Sequence, residues 1–437
     1  MNYKEEIREA AHTPKQLEQI YSEAKGKQEE GAFQAALIAC YEEAPDNLLY
    51  AAWYYRLQQV TKEIDEGGRR VNWKLAIPLS IITGLIFWGI SDFEWAYLGL
   101  VPMIVLMWSP IASMSGMLFL AATAKGSKQR VILIGLALAF ATVYVLLLGR
   151  WQSADYQRHY ITMMSVHIPL LCWLAIGIMV LGARSSVQDR FAFLTKSIEV
   201  MITAGVYLIV GMIFGGITIG MFEALSLVLP ELVIRLIAAG GFGLLPVLAV
   251  ATAYDPQVSP SEQDFQQGLS KFIATMMRLL LPLTLVVLFV YLLVIPFKFM
   301  EPFENRDVLI VYNVMLFAIM GLLIGATPSL KNGLPPQVEK YLRYGIIAVA
   351  ILAVLVSVYA LSATVYRTIL GGTTINRITI IGWNTINIGI LLRLIYKQIK
   401  GGAEKWIEAQ QAVISQGANA YLVWSVFLIF AVPLIFR

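Results

Sequence analysis

Residues 344–365 read YGIIAVAILAVLVSVYALSATV and contain no charged side chain. A helix needs about 20 consecutive apolar residues to cross the hydrocarbon core of a membrane, and this run is long enough. It is too long and too uniformly apolar for a strand or for a surface helix of a soluble domain. The segment therefore predicts a transmembrane helix.

The composition of the whole chain points the same way. Of its 437 residues, 58% are hydrophobic and 14% are charged, whereas soluble domains carry about 25% charged residues. The mean hydropathy is +0.68. Two cysteines, Cys40 and Cys172, lack the spacing of a disulfide framework or a metal site. No basic segment is interleaved with aromatic residues, as nucleic-acid binding would require. We expect an integral membrane protein that binds no metal, cofactor or nucleic acid.

Eleven segments are long enough to span a membrane. They lie near residues 75–90, 96–124, 131–149, 161–182, 198–222, 232–252, 279–296, 308–327, 344–365, 378–395 and 419–436. The second contains Pro110 and is predicted to be one kinked helix, with a span plus a re-entrant piece as the alternative. The expected fold class is all-α: a polytopic bundle in residues 71–437, preceded by a small helical domain in residues 1–70.

The distribution of lysine and arginine predicts the orientation, because cytoplasmic loops retain these residues. With the amino terminus inside, the inside flanks hold more than twice as many of them as the outside flanks. The first outside loop, Ser91 to Glu94, holds none. No stretch in residues 1–70 has the character of a signal peptide. We expect a multi-pass protein of the inner (cytoplasmic) membrane, in contact with membrane lipid, with its amino terminus in the cytoplasm and its carboxyl terminus outside.

Residues 1–70 are polar and predict short amphipathic helices. The stretch from Gly31 to Leu57 resembles one tetratricopeptide-type helical hairpin, with Pro45-Asp46-Asn47 at its junction. Such repeats normally need three or more units to be stable. A small bundle that caps the membrane domain is therefore one interpretation, and a docking module for a cytoplasmic protein partner is the other.

Short similar sequences precede three of the predicted spans. Residues 194–198 (LTKSI) resemble residues 269–273 (LSKFI), and residues 338–342 (VEKYL) are a fainter copy. Each would lead into an outward span and its return, which indicates stacked hairpins of the kind found in repeat-built membrane proteins. Chance similarity among apolar segments is the alternative.

The carboxyl-terminal half carries a further pattern. Its parts are Gly240 to Pro246, the sequence around Lys271, the Leu281-Pro282-Leu283 step and Gly372-Thr373-Thr374-Ile375-Asn376-Arg377. With these parts, residues 190–400 resemble the bacterial family catalogued as domain of unknown function 4153. That family has a Gly-Leu-Thr-x-Asn-Arg signature between two late membrane helices, and here Thr373 replaces the leucine. The resemblance implies a bacterial multi-pass membrane protein and brings no activity with it.

Asn376 and Arg377 stand at the predicted outer end of the tenth span. Thr374 or Asn376 can cap this helix, since a side-chain oxygen can accept from its free amide hydrogens. Arg377 can extend to a lipid phosphate or an acidic group. A helix cap with an interfacial anchor is one interpretation, and contact of both residues with an anion or lipid at the outer face is the other.

Polar residues inside the predicted spans are the other candidates for function. His167 lies in the fourth span, and Asn313 lies in the eighth. Asn384 and Asn387 are three residues apart in the tenth span and share one face of the helix. These four are candidate cavity-lining residues, and hydrogen-bonded packing between helices is the alternative.

Two local expectations concern packing. The fifth span contains Gly211, Gly215, Gly216 and Gly220 at the four-residue spacing that lets helices approach closely, and a flexible gating helix is the alternative. Glu231 and Arg235 are four residues apart and are expected to form an ion pair.

Three functions remain, because the chain has no phosphate-binding loop, zinc-protease motif or nucleophile elbow. A transporter, the working hypothesis, should contain a polar cavity lined by Asn384, Asn387 and Asn313. A scaffold or accessory subunit should show a dry bundle and a groove in residues 1–68. A membrane enzyme acting on lipid should show an outward-facing pocket that holds His167 and Arg377.

Overall fold

The computed structural model of the protein describes residues 3–26, 30–66, 71–124, 128–182, 184–265, 268–328 and 334–436. The chain divides into two compact units, Met1–Val71 and Asn72–Arg437. The basic residues at 69, 70, 125, 331 and 437, which contributed to the predicted orientation, lie outside the described residues.

The amino-terminal unit consists of four helices around an aromatic core. Their bounds are α1 (Tyr3–Glu9), α2 (Pro14–Gly26), α3 (Glu30–Glu43) and α4 (Leu48–Glu66). Phe33 packs edge-on against Trp53, with ring centroids 5.9 Å apart, and Asn47 caps α4 by accepting from the amide of Leu49 at 2.9 Å. The predicted hairpin from Gly31 to Leu57 thus corresponds to α3, a turn and α4.

The second unit is almost entirely helical. Its helices are α5 (Trp73–Ile90), α6 (Ile104–Thr123), α7 (Lys128–Arg150), α8 (Ala154–Leu181), α9 (Val187–Ala224), α10 (Glu231–Arg235), α11 (Gly241–Ala253), α12 (Gly268–Val294), α13 (Glu301–Glu304), α14 (Arg306–Ala326), α15 (Pro336–Gly371), α16 (Ile375–Gly401), α17 (Trp406–Phe430) and α18 (Val432–Ile435). A π-helical turn, Leu236–Gly240, joins α10 to α11. The described residues contain 11 segments long and apolar enough to cross a membrane. The prediction of an all-α polytopic bundle is confirmed.

The predicted second span begins later than expected. Ala96–Tyr97 (β1) and Val101–Pro102 (β2) form a short antiparallel hairpin before α6. Its turn places Leu98 and Gly99 at positive φ, a conformation that ends helical structure. Pro110 then lies inside the single helix α6, so the segment is a hairpin followed by one span.

Both packing expectations need correction. A Cβ atom built on Gly211, Gly216 or Gly220 would meet nothing within 4 Å, and one on Gly215 would meet only Ile237. The close approach occurs elsewhere, where a Cβ on Gly84 of α5 would lie 2.8 Å from the carbonyl oxygen of Gly240.

The expected Glu231–Arg235 pair is replaced by a contact with a distant loop. The Nη1 of Arg235 donates to the Asp92 carboxylate at 2.6 Å, and its Nε donates to the Ser91 hydroxyl at 3.2 Å. The fold brings the loop after α5 beside α10, and Asp92 therefore becomes the carboxylate that Arg235 contacts.

Three helical hairpins repeat one tertiary contact. In the first half of the first helix, an arginine donates to a carbonyl close to the end of the second. The three bonds are Arg130 to Met179 at 3.2 Å, Arg278 to Ala326 at 3.2 Å and Arg343 to Gln398 at 2.8 Å. The last carbonyls of a helix lack backbone partners and attract positive charge. The pairs α7–α8, α12–α14 and α15–α16 are thus closed in the same way. The predicted hairpin repeat begins instead at α9, α12 and α15, and it stays a prediction.

The long helices form two groups separated by a cleft. The first group contains α5 to α9 and α11, and the second contains α12, α14, α15 and α16. The helix α17 packs against α8 and α9 on one side and against α16 on the other. This arrangement leaves space between α8 and the helices α14 and α16, and the cavity described next occupies that space.

Candidate functional site

A cavity of about 1380 Å³ lies between the two groups of helices. The first group contributes residues of α6, α8 and α9 to its wall, and the second contributes residues of α14, α15 and α16. Most of the lining side chains are apolar or aromatic, and the charged ones gather at one end. The cavity is therefore amphipathic, with an apolar trough and a cationic mouth.

One face of α8 lines the trough along most of its length. The lining residues of this helix recur at helical spacing from Tyr156 to Ile176. Pro169 lies within the stripe, and the missing amide hydrogen of proline lets a helix bend there. The start of α16 contacts α8 at Met163, through Thr379. The trough therefore extends along α8 well beyond the start of α16.

The mouth carries two arginines, Arg367 near the end of α15 and Arg377 in the first turn of α16. Arg367 donates to the carbonyl oxygen of Glu304 at 2.9 Å, and Arg377 donates to the carbonyl oxygen of Gly372. Among the side chains that the structure describes, neither guanidinium has a carboxylate within ion-pair distance. Both charges therefore lack an acidic partner within the described part of the bundle.

The sequence motif around Arg377 explains its position. Thr374 caps α16, because its hydroxyl accepts from the Arg377 amide at 3.4 Å, one of the two caps anticipated from the sequence. Gly372 has a φ of +77°, which favours glycine. A Cβ on Gly371 would come within 3.0 Å of the Arg377 guanidinium. The two glycines thus allow the chain to turn tightly around this side chain.

Other polar groups line the same cavity. Asn376 adjoins Arg377, and exposed His159 and Tyr156 extend from the start of α8. Asn313 lies further along, on α14, where its Nδ2 donates to the Leu309 carbonyl at 2.7 Å. The mouth therefore combines two permanent positive charges with several hydrogen-bonding groups.

His167 lies in the wall of the trough and is held by two hydrogen bonds. Its Nε2 is 3.1 Å from the indole Nε1 of Trp383, and its Nδ1 is 2.7 Å from the Met163 carbonyl oxygen. An indole N–H can only donate, so Nε2 accepts and Nδ1 carries the hydrogen. Both ring nitrogens of the neutral imidazole are thereby occupied.

The trough is bordered by apolar side chains that are themselves exposed. Val314 is 65% exposed and Met201 is 55% exposed, and Val166 and Phe317 behave in the same way. In a protein that spans a membrane, such side chains face lipid rather than water. The trough is therefore accessible from the side, through the hydrocarbon layer.

Asn384 and Asn387 do not line this cavity. They are 3% and 0% exposed, and Asn387 accepts a hydrogen bond from the Tyr421 hydroxyl of α17. The Nδ2 atoms of both amides have no hydrogen-bond partner among the described residues. The four proposed lining residues are thus divided: His167 and Asn313 line the cavity together with Asn376 and Arg377, and the α16 amides lie behind its wall.

Sequence reasoning missed two members of the site, Arg367 and Trp383. Arg367 is an ordinary outer-flank arginine in the sequence, and Trp383 is one tryptophan of 10. Arg367 is close to Arg377 in the sequence and has no acidic neighbours there, which could have suggested that the two arginines lie at the same end of the bundle. The sequence gives no sign that Arg367 and Trp383 share a cavity with Arg377. Within the described residues, no cluster of histidine, cysteine, aspartate or glutamate could hold a metal ion.

Comparison with protein-family models, with curated proteins and with solved structures found no match to this chain. The resemblance to domain of unknown function 4153 stays a prediction.

Proposed function

We propose that the bundle binds an anionic membrane lipid in this cavity and handles it as a transported or presented substrate. The observation that supports the proposal is that an apolar trough ends at two guanidinium groups, Arg367 and Arg377, which donate to backbone carbonyls and have no carboxylate partner among the described side chains. Arginine binds phosphate through paired N–H donors. An apolar trough alone would accept any hydrocarbon, and the cationic mouth selects for an acidic headgroup.

The length of the trough supports a lipid of ordinary size. Arg377 lies half a turn from Thr379, which contacts Met163 on α8. The trough then follows α8 to Ile176, a distance of about 20 Å at 1.5 Å per residue. Half of a bilayer, headgroups included, is about 20–22 Å thick. A lipid with its phosphate at the arginines would therefore place its chain ends near Ile176.

The exposed apolar border favours a lipid over a small soluble anion. A free phosphate would gain nothing from the trough and would find at the mouth a site already shared with backbone carbonyls. A lipid can diffuse sideways past Val314 and Phe317 without leaving the hydrocarbon layer. The proposal includes the predicted orientation, which places the arginine end of the cavity at the outer face of a bacterial inner membrane.

The alternatives have less support. A lipid-modifying enzyme was expected to have a pocket that holds His167 and Arg377, and this cavity contains both. Both ring nitrogens of His167 are already hydrogen-bonded, however, so His167 is not free to act as the general base of such an enzyme. A transporter of small polar solutes would use the amides of α16, which lie outside this cavity. A cytoplasmic partner for residues 1–70 stays a separate proposal that lipid binding neither requires nor opposes.

The test is lipid binding by the purified protein, measured with fluorescent phosphatidylglycerol and with phosphatidylcholine of the same chains. We expect phosphatidylglycerol to bind more tightly. The double substitution Arg367→Gln/Arg377→Gln should weaken its binding about 10- to 100-fold, since a hydrogen bond to a charged group contributes about 1.5–3 kcal/mol. Arg158→Gln is the matched control, because Arg158 is exposed on α8 and does not line the cavity.

Two results would contradict the proposal. One is equal binding of the two lipids by the native protein. The other is that the protein binds glycerol phosphate as tightly as phosphatidylglycerol, which would show a site for the headgroup and none for the acyl chains.

A further inference from the structure

A buried charged cluster joins the two groups of helices at the deep end of the cleft. Lys196 of α9 donates to Glu199 at 2.8 Å and to the Ser270 hydroxyl of α12 at 2.9 Å. Ser270 in turn hydrogen-bonds to Glu199. The three side chains are 5%, 8% and 8% exposed, so the cluster is well protected from solvent.

The cluster lies beside the trough without lining it. Phe193, one turn before Lys196, stacks against Trp173 with ring centroids 6.3 Å apart. Met201, two residues after Glu199 in α9, lines the cavity. A movement of α9 at this level would therefore change the trough directly.

Lys196 and Ser270 come from the two similar sequences LTKSI and LSKFI, and Glu199 directly follows the first of them. Lys196 occupies the position that Lys271 occupies in the second copy. Lys271 is exposed and forms no ion pair with the described residues. The two copies have thus diverged: one lysine is buried and bridges the cleft, and the other stays at the surface.

A buried ion pair gives little net stability, because desolvation of the two charges offsets their attraction. This pair lies within α9, and its two charges reach α12 only through the hydroxyl of Ser270. In some proteins buried polar groups of this kind fix one of two alternative arrangements. The helices α9 and α12 are also poorly covered by protein, with 11% of the residues buried in the apolar window of each. Two lightly packed helices held by a polar contact can separate without disrupting an extensive apolar interface.

We propose that the Lys196–Glu199–Ser270 cluster is a clasp that keeps the deep end of the cleft closed, and that its release opens a second exit for the lipid. This inference rests on the proposed function for the identity of the cargo. The opening itself is a property of the helices and can be measured without any lipid. The clasp would allow the cavity to open alternately toward its mouth and toward its deep end.

The test is a distance measurement between nitroxide labels at Gln188→Cys on α9 and Thr275→Cys on α12. Both positions are exposed, and the native cysteines are replaced by Cys40→Ala and Cys172→Ala. We expect one narrow distance distribution in the labelled parent. Lys196→Met should add a second, longer population, and Lys271→Met, the matched control, should leave the distribution narrow.

Ser270→Ala provides a second variant in case Lys196→Met does not fold. It keeps the Lys196–Glu199 pair within α9 and removes both hydrogen bonds that join this pair to α12, so a long-distance population at least as large as that of Lys196→Met is expected. A narrow, parent-like distribution in every folded clasp variant would overturn the inference. Repeating the measurement in the Arg367→Gln/Arg377→Gln background separates the two proposals. If the clasp still opens there while phosphatidylglycerol binding is lost, the opening is a property of the helices and does not depend on lipid binding. If the native protein fails to bind lipid, the proposed cargo is wrong and the clasp still stands.

Discussion

The indole Nε1 of Trp383 donates a hydrogen bond to Nε2 of His167 at 3.1 Å, across a sequence separation of 216 residues. This bond joins α16 to α8 in the wall of the cavity and fixes the imidazole in one tautomer. Trp383 also packs against Phe317 and Tyr421, with ring centroids 5.5 Å and 5.4 Å away. It is therefore a structural link between the two groups of helices.

Replacement of Trp383 by phenylalanine should destabilise the protein while preserving the preference for anionic lipid. The substitution leaves Nε2 of buried His167 without a donor, and an unpaired buried acceptor costs about 1–3 kcal/mol. Thermal unfolding in detergent measures the effect. Trp95→Phe, at a 65% exposed position, should leave the unfolding temperature nearly unchanged. An equal effect of both substitutions would contradict the assigned role.

Lateral access from the lipid can be tested on one helix. Val314 and Val311 of α14 are both 65% exposed, but Val314 lines the cavity and Val311 does not. Val314→Trp should obstruct the trough and reduce phosphatidylglycerol binding at least several-fold, whereas Val311→Trp adds the same bulk to the lipid-facing surface and should have little effect. Binding that is unchanged by Val314→Trp would argue against access at this position.

The double substitution Asn384→Leu/Asn387→Leu should leave lipid binding unchanged and alter stability. The two amides lie behind the cavity wall, and Asn387 bonds to Tyr421. Interhelical bonds of this kind contribute about 0.6–2 kcal/mol in membranes, and the loss is partly offset because each unpartnered Nδ2 is also removed. Loss of lipid binding in a stably folded variant would show that the amides belong to the functional site after all.

The Asp92–Arg235 contact predicts a dependence of stability on pH. The pKa of the Asp92 carboxyl lies below its ordinary value of 3.8 because it accepts from the Glu94 amide and because Arg235 pairs with it. A lowered pKa in the folded state gives stability that is present above the unfolded pKa and is lost as the pH falls through the folded pKa. Asp92→Asn should therefore lower the unfolding temperature near pH 7, and the difference from the native protein should shrink below pH 3.8.

Glu94→Gln is the control for this loop. The Glu94 side chain is exposed, and its backbone amide, which the substitution keeps, is the group that donates to Asp92. A difference between Asp92→Asn and the native protein that persists unchanged at low pH would argue against the pairing.

The bundle and its spans could be predicted from the sequence because an unsatisfied backbone is intolerable in hydrocarbon, so each long apolar run must be helical. The residue at which α6 begins could not be predicted, since the local turn at Leu98 and Gly99 interrupts a segment that is otherwise apolar. Arg377 was identifiable because its glycines and capping threonine are adjacent in sequence. The partner of Arg235 was not, because Asp92 is 143 residues away and a local carboxylate, Glu231, stood at helical spacing.

The candidate site shows the same division between local and distant information. Four residues of the site could be predicted because they are polar residues in or beside apolar segments: His167, Asn313, Asn376 and Arg377. Their gathering around one cavity depends on how α8, α14 and α16 are arranged, which no single segment encodes. Asn387 is about three turns of helix from Arg377, and its side chain bonds to Tyr421 of α17 instead of entering the cavity.

The position of α17 has a consequence for biosynthesis. This helix follows both groups in the chain, yet it contacts α8 and α9 as well as α16. While a ribosome is still making it, the earlier hairpins can insert and close through their own arginine contacts, but the width of the cleft between them is not yet set. The lipid site should accordingly mature only after α17 has been integrated, and nascent chains halted at Gly401 should hold their hairpins without retaining the lipid.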